Sequence, residues 1–160
     1  MAWYVDDVKI SHMDECVVTN LIDEVKGEFG DLYITRGKKH VFLGMTFELL
    51  SDGSVLINMS DYIREALDAF PEEIFKSVNT CATNSLFDID ESDKLVTPER
   101  ADIFHSIVAK LLWVMKRGRP DIELPIYFLC TRVRNRSIKD WEKLKRVLQY
   151  SYMVHWKTIE

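Results

Sequence analysis

The 160-residue sequence has no apolar run near the roughly 20 residues that a membrane-spanning helix needs. Its start has no basic segment followed by an apolar one, so we expect no secretory signal. The three cysteines, Cys16, Cys81 and Cys130, are odd in number, far apart and without the spacing of metal ligands. These absences argue against a membrane protein, and they predict three reduced thiols in an intracellular compartment.

What the sequence does contain is ordinary for a globular protein, with 47% hydrophobic residues and enough length for one domain with a sizeable core. The net charge of −5 conceals an uneven distribution. Residues 1–109 hold 9 Lys/Arg and 21 Asp/Glu, whereas residues 110–146 hold 11 Lys/Arg and 4 Asp/Glu. This basic segment is typical of a surface that neutralises nucleic-acid phosphates, but also of the solvated faces of amphipathic helices.

Apolar spacing and turn residues predict a mixed α+β fold without internal repeats. The predicted β elements are a hairpin over 3–11 turning at Asp6-Asp7, a strand over 40–50 with Gly44 in its interior, a turn over 51–54 and a strand over 55–57. The predicted helices cover 14–29, 60–70, 72–78, a segment that begins at Thr97-Pro98, 122–133, and a last helix capped by Ser137. Residues 79–97 are polar and acidic, which predicts a linker.

The segment Tyr4-Val5-Asp6-Asp7 is the best candidate for chemistry. Hard cations such as Mg²⁺ prefer oxygen ligands and are commonly bound through one or two carboxylates together with substrate phosphates. A turn relaxes the alternation of side chains along a strand, so both Asp6 and Asp7 can face one metal cluster. An Asp-Asp pair by itself is more often a solvated hairpin turn, and its context has to decide between the two.

Four later segments supply that context: 40–45 (HVFLGM), 104–112 (FHSIVAKLL), 117–122 (RGRPDI) and 141–150 (WEKLKRVLQY). Together with Tyr4-Val5-Asp6-Asp7 they resemble, in the same order, the reverse transcriptase of copia-type LTR retrotransposons over about residues 3–150. Agreement of several motifs in order is more specific than any one of them.

The resemblance implies a domain organisation. A partial polymerase palm of β-hairpins and a helix would occupy residues 1–78, a linker residues 79–97, and a helical thumb- or connection-like region residues 98–150. Residues 151–160 form an atypical tail where the family continues toward a ribonuclease H domain. One permitted codon choice for this tail, read two nucleotides later, restores that continuation, so we hypothesise a frameshift near residue 151 that the genomic nucleotide sequence can test.

The resemblance also implies a reaction, the extension of a DNA primer on an RNA or DNA template with Mg²⁺ or Mn²⁺ as cofactor. In that reaction Asp6 and Asp7 would be metal ligands, and Tyr4 would line the catalytic turn near the primer end. The implied partners are the template–primer and the rest of the polyprotein, namely the upstream fingers and palm and the downstream ribonuclease H, but no membrane. The implied location is the cytoplasm or a virus-like particle.

Two further sets of residues carry roles in the family. Leu43 and Gly44 correspond to the primer grip, although a glycine at a bend of a sheet is the structural alternative. In the basic segment the resemblance indicates five candidates for contacts with the nucleic-acid backbone: Arg117, Arg119, Arg132, Arg134 and Arg136.

The family's third metal-binding Asp and its fingers region precede the catalytic hairpin and have no counterpart in residues 1–160. We therefore expect these residues alone to be inactive, because neither the metal pair nor the nucleotide would be held in place. Two other classes stay open. One is a non-catalytic nucleic-acid-binding remnant with salt-sensitive binding, and the other is an unselected pseudogene product with a broad, non-cooperative thermal melt.

Overall fold

The computed structural model describes residues 1–74, 76 and 78–157, with the backbone alone for residues 153–157. Contacts divide the chain into two units, Met1–Asn58 and Met59–Glu160. The first unit contains two antiparallel sheets, β1–β2 and β3–β4–β5, and one helix. Its elements are β1 (Ala2–Tyr4), β2 (Asp7–Lys9), α1 (Glu15–Phe29), β3 (Lys39–Phe42), β4 (Met45–Leu49) and β5 (Val55–Asn58).

The first hairpin turns at Val5 and Asp6, one residue earlier than predicted, because Tyr4 pairs with Asp7 across the two strands. Val5 has a φ of 53°, and Asp6 is not among the residues with positive φ. A positive φ at only the first loop position is the pattern of a type II′ turn. The Trp3 indole N–H donates to the Val5 carbonyl at 2.6 Å and so helps to hold this turn.

The prediction of a continuous strand over 40–50 is wrong, since a second two-residue turn interrupts it. Leu43 and Gly44, with φ values of 54° and 73°, connect β3 to β4, and Phe42 pairs with Met45. Two successive positive φ values are typical of a type I′ hairpin turn, which glycine favours because it has no Cβ. The predicted turn over 51–54 is confirmed, with Leu49 paired to Val55.

Helix α1 begins and ends at the predicted residues. The carboxylate of Asp14 accepts a hydrogen bond from the Cys16 amide at 2.9 Å, as an N-cap does. Gly30 ends the helix with a φ of 83°, which a residue with a side chain rarely adopts. The first unit has no closed core, because Met45, at 8% exposure, is the only buried hydrophobic side chain in the fully described residues 1–58, and α1 contributes no buried residue.

The second unit is helical. Its elements are α2 (Ser60–Asp68), α3 (Pro98–Arg117), a 3₁₀ turn (Pro120–Ile122), α4 (Glu123–Arg132) and α5 (Ile138–Lys157). The predicted start of α3 is confirmed: Thr97 Oγ1 accepts the Arg100 amide at 3.4 Å, and Pro98 takes the first helical position. Ser137 caps α5 as predicted, since its hydroxyl accepts the Asp140 amide at 3.2 Å while the Ser137 amide donates to the Asp140 carboxylate at 3.0 Å.

Two predictions about the second unit differ from the structure. Residues 72–74, 76 and 78 are not helical, so the helix predicted over 72–78 is wrong within the described residues. Residues 79–97 form a loop, as predicted, but the division between the units falls at residues 58 and 59. The loop packs within the second unit, where Leu86 is buried and Leu95 forms an isolated β-bridge with Ser137.

The core of the second unit surrounds Trp141, which is fully buried and stacks on Phe70 with 4.7 Å between ring centroids. The Trp141 indole N–H donates to the Glu72 carboxylate at 2.9 Å. Glu72 in turn pairs with Lys145 at 2.6 Å and with Arg100 at 3.1 Å. Glu72 therefore joins α5 and α3 to the chain that follows α2. Among the described residues, no helix is both long and apolar enough to cross a membrane.

Two leucines of α4 test where the core lies. Leu129 is fully buried, whereas Leu124 is 59% exposed. We expect Leu129→Ala to lower the free energy of unfolding by about 2–5 kcal/mol through lost burial and a residual cavity. Leu124→Ala should change it by less than about 0.5 kcal/mol. Urea denaturation followed by circular dichroism measures both, and equal losses would contradict the described packing of α4.

The charge of Glu72 predicts a pH dependence of stability. The hydrogen bond from Lys145 lowers the pKa of Glu72 below its ordinary value of 4.5, against the opposing effect of burial. A lowered carboxyl pKa stabilises the folded state at pH values above the ordinary pKa of the group. This stabilisation is lost as the pH falls through the pKa of the folded state. Glu72→Gln keeps an acceptor for Trp141 and removes the charge. Its destabilisation should be largest at neutral pH and vanish in strong acid, and a pH-independent difference would contradict this.

Candidate active-site hairpin and basic segment

A cleft of about 490 Å³ lies in the first unit between the β1–β2 turn, α1 and residues 32–37. Its wall combines apolar side chains of α1 with carboxylates of the hairpin. The apolar side chains are at helical spacing on one face of α1, namely Val18, Ile22 and Val25. This apolar face of α1 therefore lines an open cleft instead of a closed core.

Asp6 and Asp7 both line this cleft, so the structure brings the two predicted metal ligands to one site. Asp6 is the second residue of the turn, and Asp7 is the first residue of β2. The turn lets adjacent carboxylates reach the same space, which two neighbouring residues within a regular strand could not do. Tyr4, the third predicted residue, is half-exposed and stands opposite Asp7 in the strand register.

Val5, between Tyr4 and the two carboxylates, is strained. A β-branched residue with positive φ is a rare outlier, and a backbone held in such a region costs about 1–3 kcal/mol. The side chain is 76% exposed, so its burial cannot offset this cost. Strained backbone of this kind concentrates at functional sites, and the observation therefore favours a functional turn over an ordinary solvated one.

The opposite side of the cleft carries charges that the sequence did not reveal as part of a site. Arg36 pairs with Glu15 at 3.3 Å and donates to Thr19 Oγ1 at 3.2 Å. Both Arg36 and Glu15 line the same cleft as Asp6 and Asp7. No motif or spacing connects Arg36 with a residue 21 positions earlier, so only the folded chain shows this pair.

The carboxylate oxygens of Asp6 and Asp7 have the donor chemistry that Mg²⁺ and Mn²⁺ prefer. Two carboxylates are enough for a magnesium ion that also binds water and substrate phosphates. Within the described residues, no group of three or more His, Cys, Asp or Glu side chains could enclose a metal ion. The hairpin therefore offers two carboxylate ligands to a divalent ion, and further ligands are needed to complete the coordination of that ion.

The primer-grip candidates lie apart from this cleft. Leu43 and Gly44 form the β3–β4 turn of the same unit, and neither is among the residues that line the cleft. His40, three residues earlier on β3, does line it. The structure therefore gives Leu43 and Gly44 a hairpin geometry but does not bring them beside Asp6 and Asp7.

The arginines proposed to contact nucleic acid mostly have partners within the chain. Arg119 donates to both carboxylate oxygens of Asp121 at 2.8 Å each. The guanidinium of Arg117 lies 3.2 Å from the centroid of the Trp113 ring. An arginine in a bidentate pair would have to give up that pair to bind a phosphate, so these contacts make Arg119 a structural residue.

Arg132 also has an acidic partner within the chain. Its side chain is 17% exposed and pairs at 3.0 Å with Asp140, which is 3% exposed. Arg136 donates to the Val133 carbonyl. Arg134, between them, is exposed and has no ion pair within the described part of the chain. Of the five predicted phosphate contacts, Arg134 is the exposed one, whereas Arg117 and Arg136 are half-buried and contact a ring and a carbonyl within the chain.

Comparisons with known proteins show where this chain has relatives. It is 32% identical over 157 residues to the Saccharomyces cerevisiae protein YCL074W, whose name assigns it provisionally to the transposon Ty5-1, covering 95% of this chain and 48% of that protein. It is 28% identical over 149 residues to an uncharacterized mitochondrial protein of Arabidopsis thaliana, AtMg00810, covering 92% of this chain and 58% of that protein.

The chain thus spans about half the length of these curated relatives. No protein-family model matches the chain. No solved structure matches it either. The similarity to a transposon protein supports a retrotransposon origin of the chain, as the order of the motifs predicted.

Two neighbouring arginines, Arg132 at the end of α4 and Arg134 in the loop after it, separate structural from surface roles. Removing Arg132 leaves the buried carboxylate of Asp140 with only the longer contact to Lys143 at 3.6 Å as an ion pair, so Arg132→Gln should lower the free energy of unfolding by about 3 kcal/mol. Arg134→Gln, with the same change in charge, should cost less than about 0.5 kcal/mol. Chemical denaturation of the two variants provides the comparison. An Arg132→Gln protein as stable as the parent would contradict the described Asp140 contact.

Proposed function

We propose that residues 3–150 are the carboxyl-terminal palm and the thumb- or connection-like part of a copia-type reverse transcriptase. The observation that carries the proposal is the position of Asp6 and Asp7 together at a strained hairpin turn beside a cleft. The order of four later motifs and the transposon name of one relative add independent support.

In the proposed activity, Asp6 and Asp7 hold divalent metal ions. Bound Mg²⁺ would supply the charge that aligns nucleotide phosphates and favours attack by the primer 3′-hydroxyl. The hairpin would position the metal ligands, because its turn fixes the backbone of Asp6 and Asp7 before any substrate binds. Tyr4, opposite Asp7 on β1, would lie beside the primer–template end.

Residues 1–160 carry one carboxylate pair for this site, and the relatives are about twice as long as the matched region. We propose that the remaining ligands and the nucleotide-binding fingers belong to other parts of the parent polyprotein. Without them neither the metal pair nor the nucleotide is held in reactive geometry, and residues 1–160 alone have no polymerase activity. The helical unit would contribute to holding the template–primer.

Metal binding tests the role of the hairpin directly. Titration with Mn²⁺, followed by its electron paramagnetic resonance, should reveal a weak site on residues 1–160 that Asp6→Asn/Asp7→Asn abolishes. Asp23→Asn/Glu24→Gln is the matched control, because these neighbouring acids on α1 are exposed, lie outside the cleft and carry the same charge. The control should bind Mn²⁺ as the parent does.

Two results would contradict the proposal. Equal Mn²⁺ binding by the parent and by Asp6→Asn/Asp7→Asn would remove the metal-ligand role of the hairpin. Mg²⁺-dependent primer extension by purified residues 1–160 that survives this double substitution would place the chemistry elsewhere. A non-catalytic nucleic-acid-binding protein would instead show salt-sensitive binding to an RNA–DNA hybrid that the double substitution leaves unchanged.

A further inference from the structure

An acidic segment of the second unit, residues 88–93, lies against the start of α5. It places four carboxylates within six residues: Asp88, Asp90, Glu91 and Asp93. The Lys139 amide donates to Asp93 Oδ2 at 3.0 Å, and the Ile138 amide donates to the Lys94 carbonyl at 2.9 Å. The chain from residue 88 to 94 therefore supplies acceptors to the first amides of α5, which have no partner within the helix.

The same segment contacts two ammonium groups of α5. Lys139 Nζ lies 2.8 Å from Asp90 Oδ2. Lys143 Nζ donates to the Asp88 carbonyl at 2.7 Å and also lies 3.6 Å from the buried carboxylate of Asp140, so its charge has a partner outside the segment. The hydrogen bond from Lys139, followed by that from Ser92, lowers the pKa of Asp90 to about 2, so this carboxylate is charged at neutral pH. A carboxylate oxygen thus sits where a phosphate oxygen would bind the same lysine.

A competing anion can displace Asp90 from its ion pair with Lys139. Its partners are 57% and 44% exposed, and exposed ion pairs contribute at most about 1 kcal/mol and weaken with salt. The buried pair of Arg132 and Asp140 contrasts with it, since a competing anion cannot reach that guanidinium without unpacking the helices. A polyanion can therefore compete for Lys139 but not for Arg132.

The fold of the segment does not depend on its charge. The Ser92 amide donates to Asp90 Oδ1 at 3.0 Å, and the Asp93 amide donates to the Asp90 carbonyl at 3.1 Å, which forms a local turn. Just before the segment, the Phe87 ring packs edge-on against Phe128 with 5.7 Å between centroids. Asparagine at position 90 would keep an oxygen for Ser92 and lose only the charge.

We propose that residues 88–93 cover a phosphate-binding surface of α5, and that the backbone of single-stranded nucleic acid is the partner that displaces them. Lys139 is the covered cation of this surface, and exposed Arg134 precedes it in the loop before α5. Lys143, at 15% exposure and paired with Asp140, stays bound within the helical unit. Glu142, which is exposed, is an acidic residue of α5 next to Lys139 and Lys143. The surface requires neither metal nor polymerase chemistry, so its test is independent of the hairpin.

The test compares the affinity of residues 1–160 for a fluorescent oligothymidylate of about 20 nucleotides in about 50 mM salt. Asp90→Asn/Glu91→Gln should bind about three- to fivefold more tightly than the parent, since a competing ion pair of up to about 1 kcal/mol is removed. Asp68→Asn/Glu123→Gln, which removes two exposed carboxylates outside the segment, is the control for net charge and should change the affinity less.

Adding Lys139→Gln to Asp90→Asn/Glu91→Gln should abolish the gain. Equal gains in the two neutralised proteins would show that overall charge governs binding and would overturn the proposal, as would a gain that survives Lys139→Gln. If the double variant melts at a lower temperature than the parent, Asp90→Asn alone decides. It keeps an acceptor for Ser92 and removes the ion pair with Lys139, so it should still bind more tightly than the parent, and no gain at all overturns the proposal.

Discussion

The second unit depends on one partly buried hydrogen bond, from the Trp141 indole N–H to the Glu72 carboxylate. A fully buried tryptophan needs a partner for its N–H, and the chain that follows α2 supplies that partner as Glu72. The same carboxylate binds Lys145 of α5 and Arg100 of α3. The carboxylate that satisfies the buried Trp141 is therefore the same one that Lys145 and Arg100 neutralise. These shared contacts hold α3 and α5 in place relative to the chain that follows α2.

The first unit is organised by a different constraint. Its turns and caps, such as the Val5–Asp6 turn and the Gly30 stop, define the backbone, while burial contributes little because Met45 alone is buried. The candidate metal ligands lie in this unit, at a turn whose strain is not offset by packing. Their geometry thus depends on backbone hydrogen bonds and on the Trp3 contact with Val5 more than on a hydrophobic core.

Local signals in the sequence predicted what local interactions decide. Asp14, Thr97-Pro98 and Ser137 begin helices because their side chains accept amides two or three residues away. The helix expected after Pro71 is not formed by the described residues, and Glu72 instead contacts partners 28 to 73 positions along the chain, which no local pattern encodes. The turn at Leu43-Gly44 was hidden in an apolar run that also suits an unbroken strand.

The candidate site shows the same division. Both carboxylates were predicted from the motif, whereas Arg36 and Glu15 joined the cleft only through the fold. Among the arginines, the roles of Arg119 and Arg132 depended on Asp121 and Asp140. A count of basic residues could not distinguish charges already paired inside the protein from charges available to a ligand.

The three-stranded sheet ends in a strand with apolar, half-exposed side chains. β5 is an edge strand in the described topology, and its apolar residues Val55, Leu56 and Ile57 are about half exposed. Such an edge is a template for cross-β pairing between molecules, and natural sheets usually block it with lysine, proline or a bulge. Concentrated solutions of this polypeptide are therefore prone to aggregate through β5, and a lysine at position 56 is the simplest way to improve its solubility.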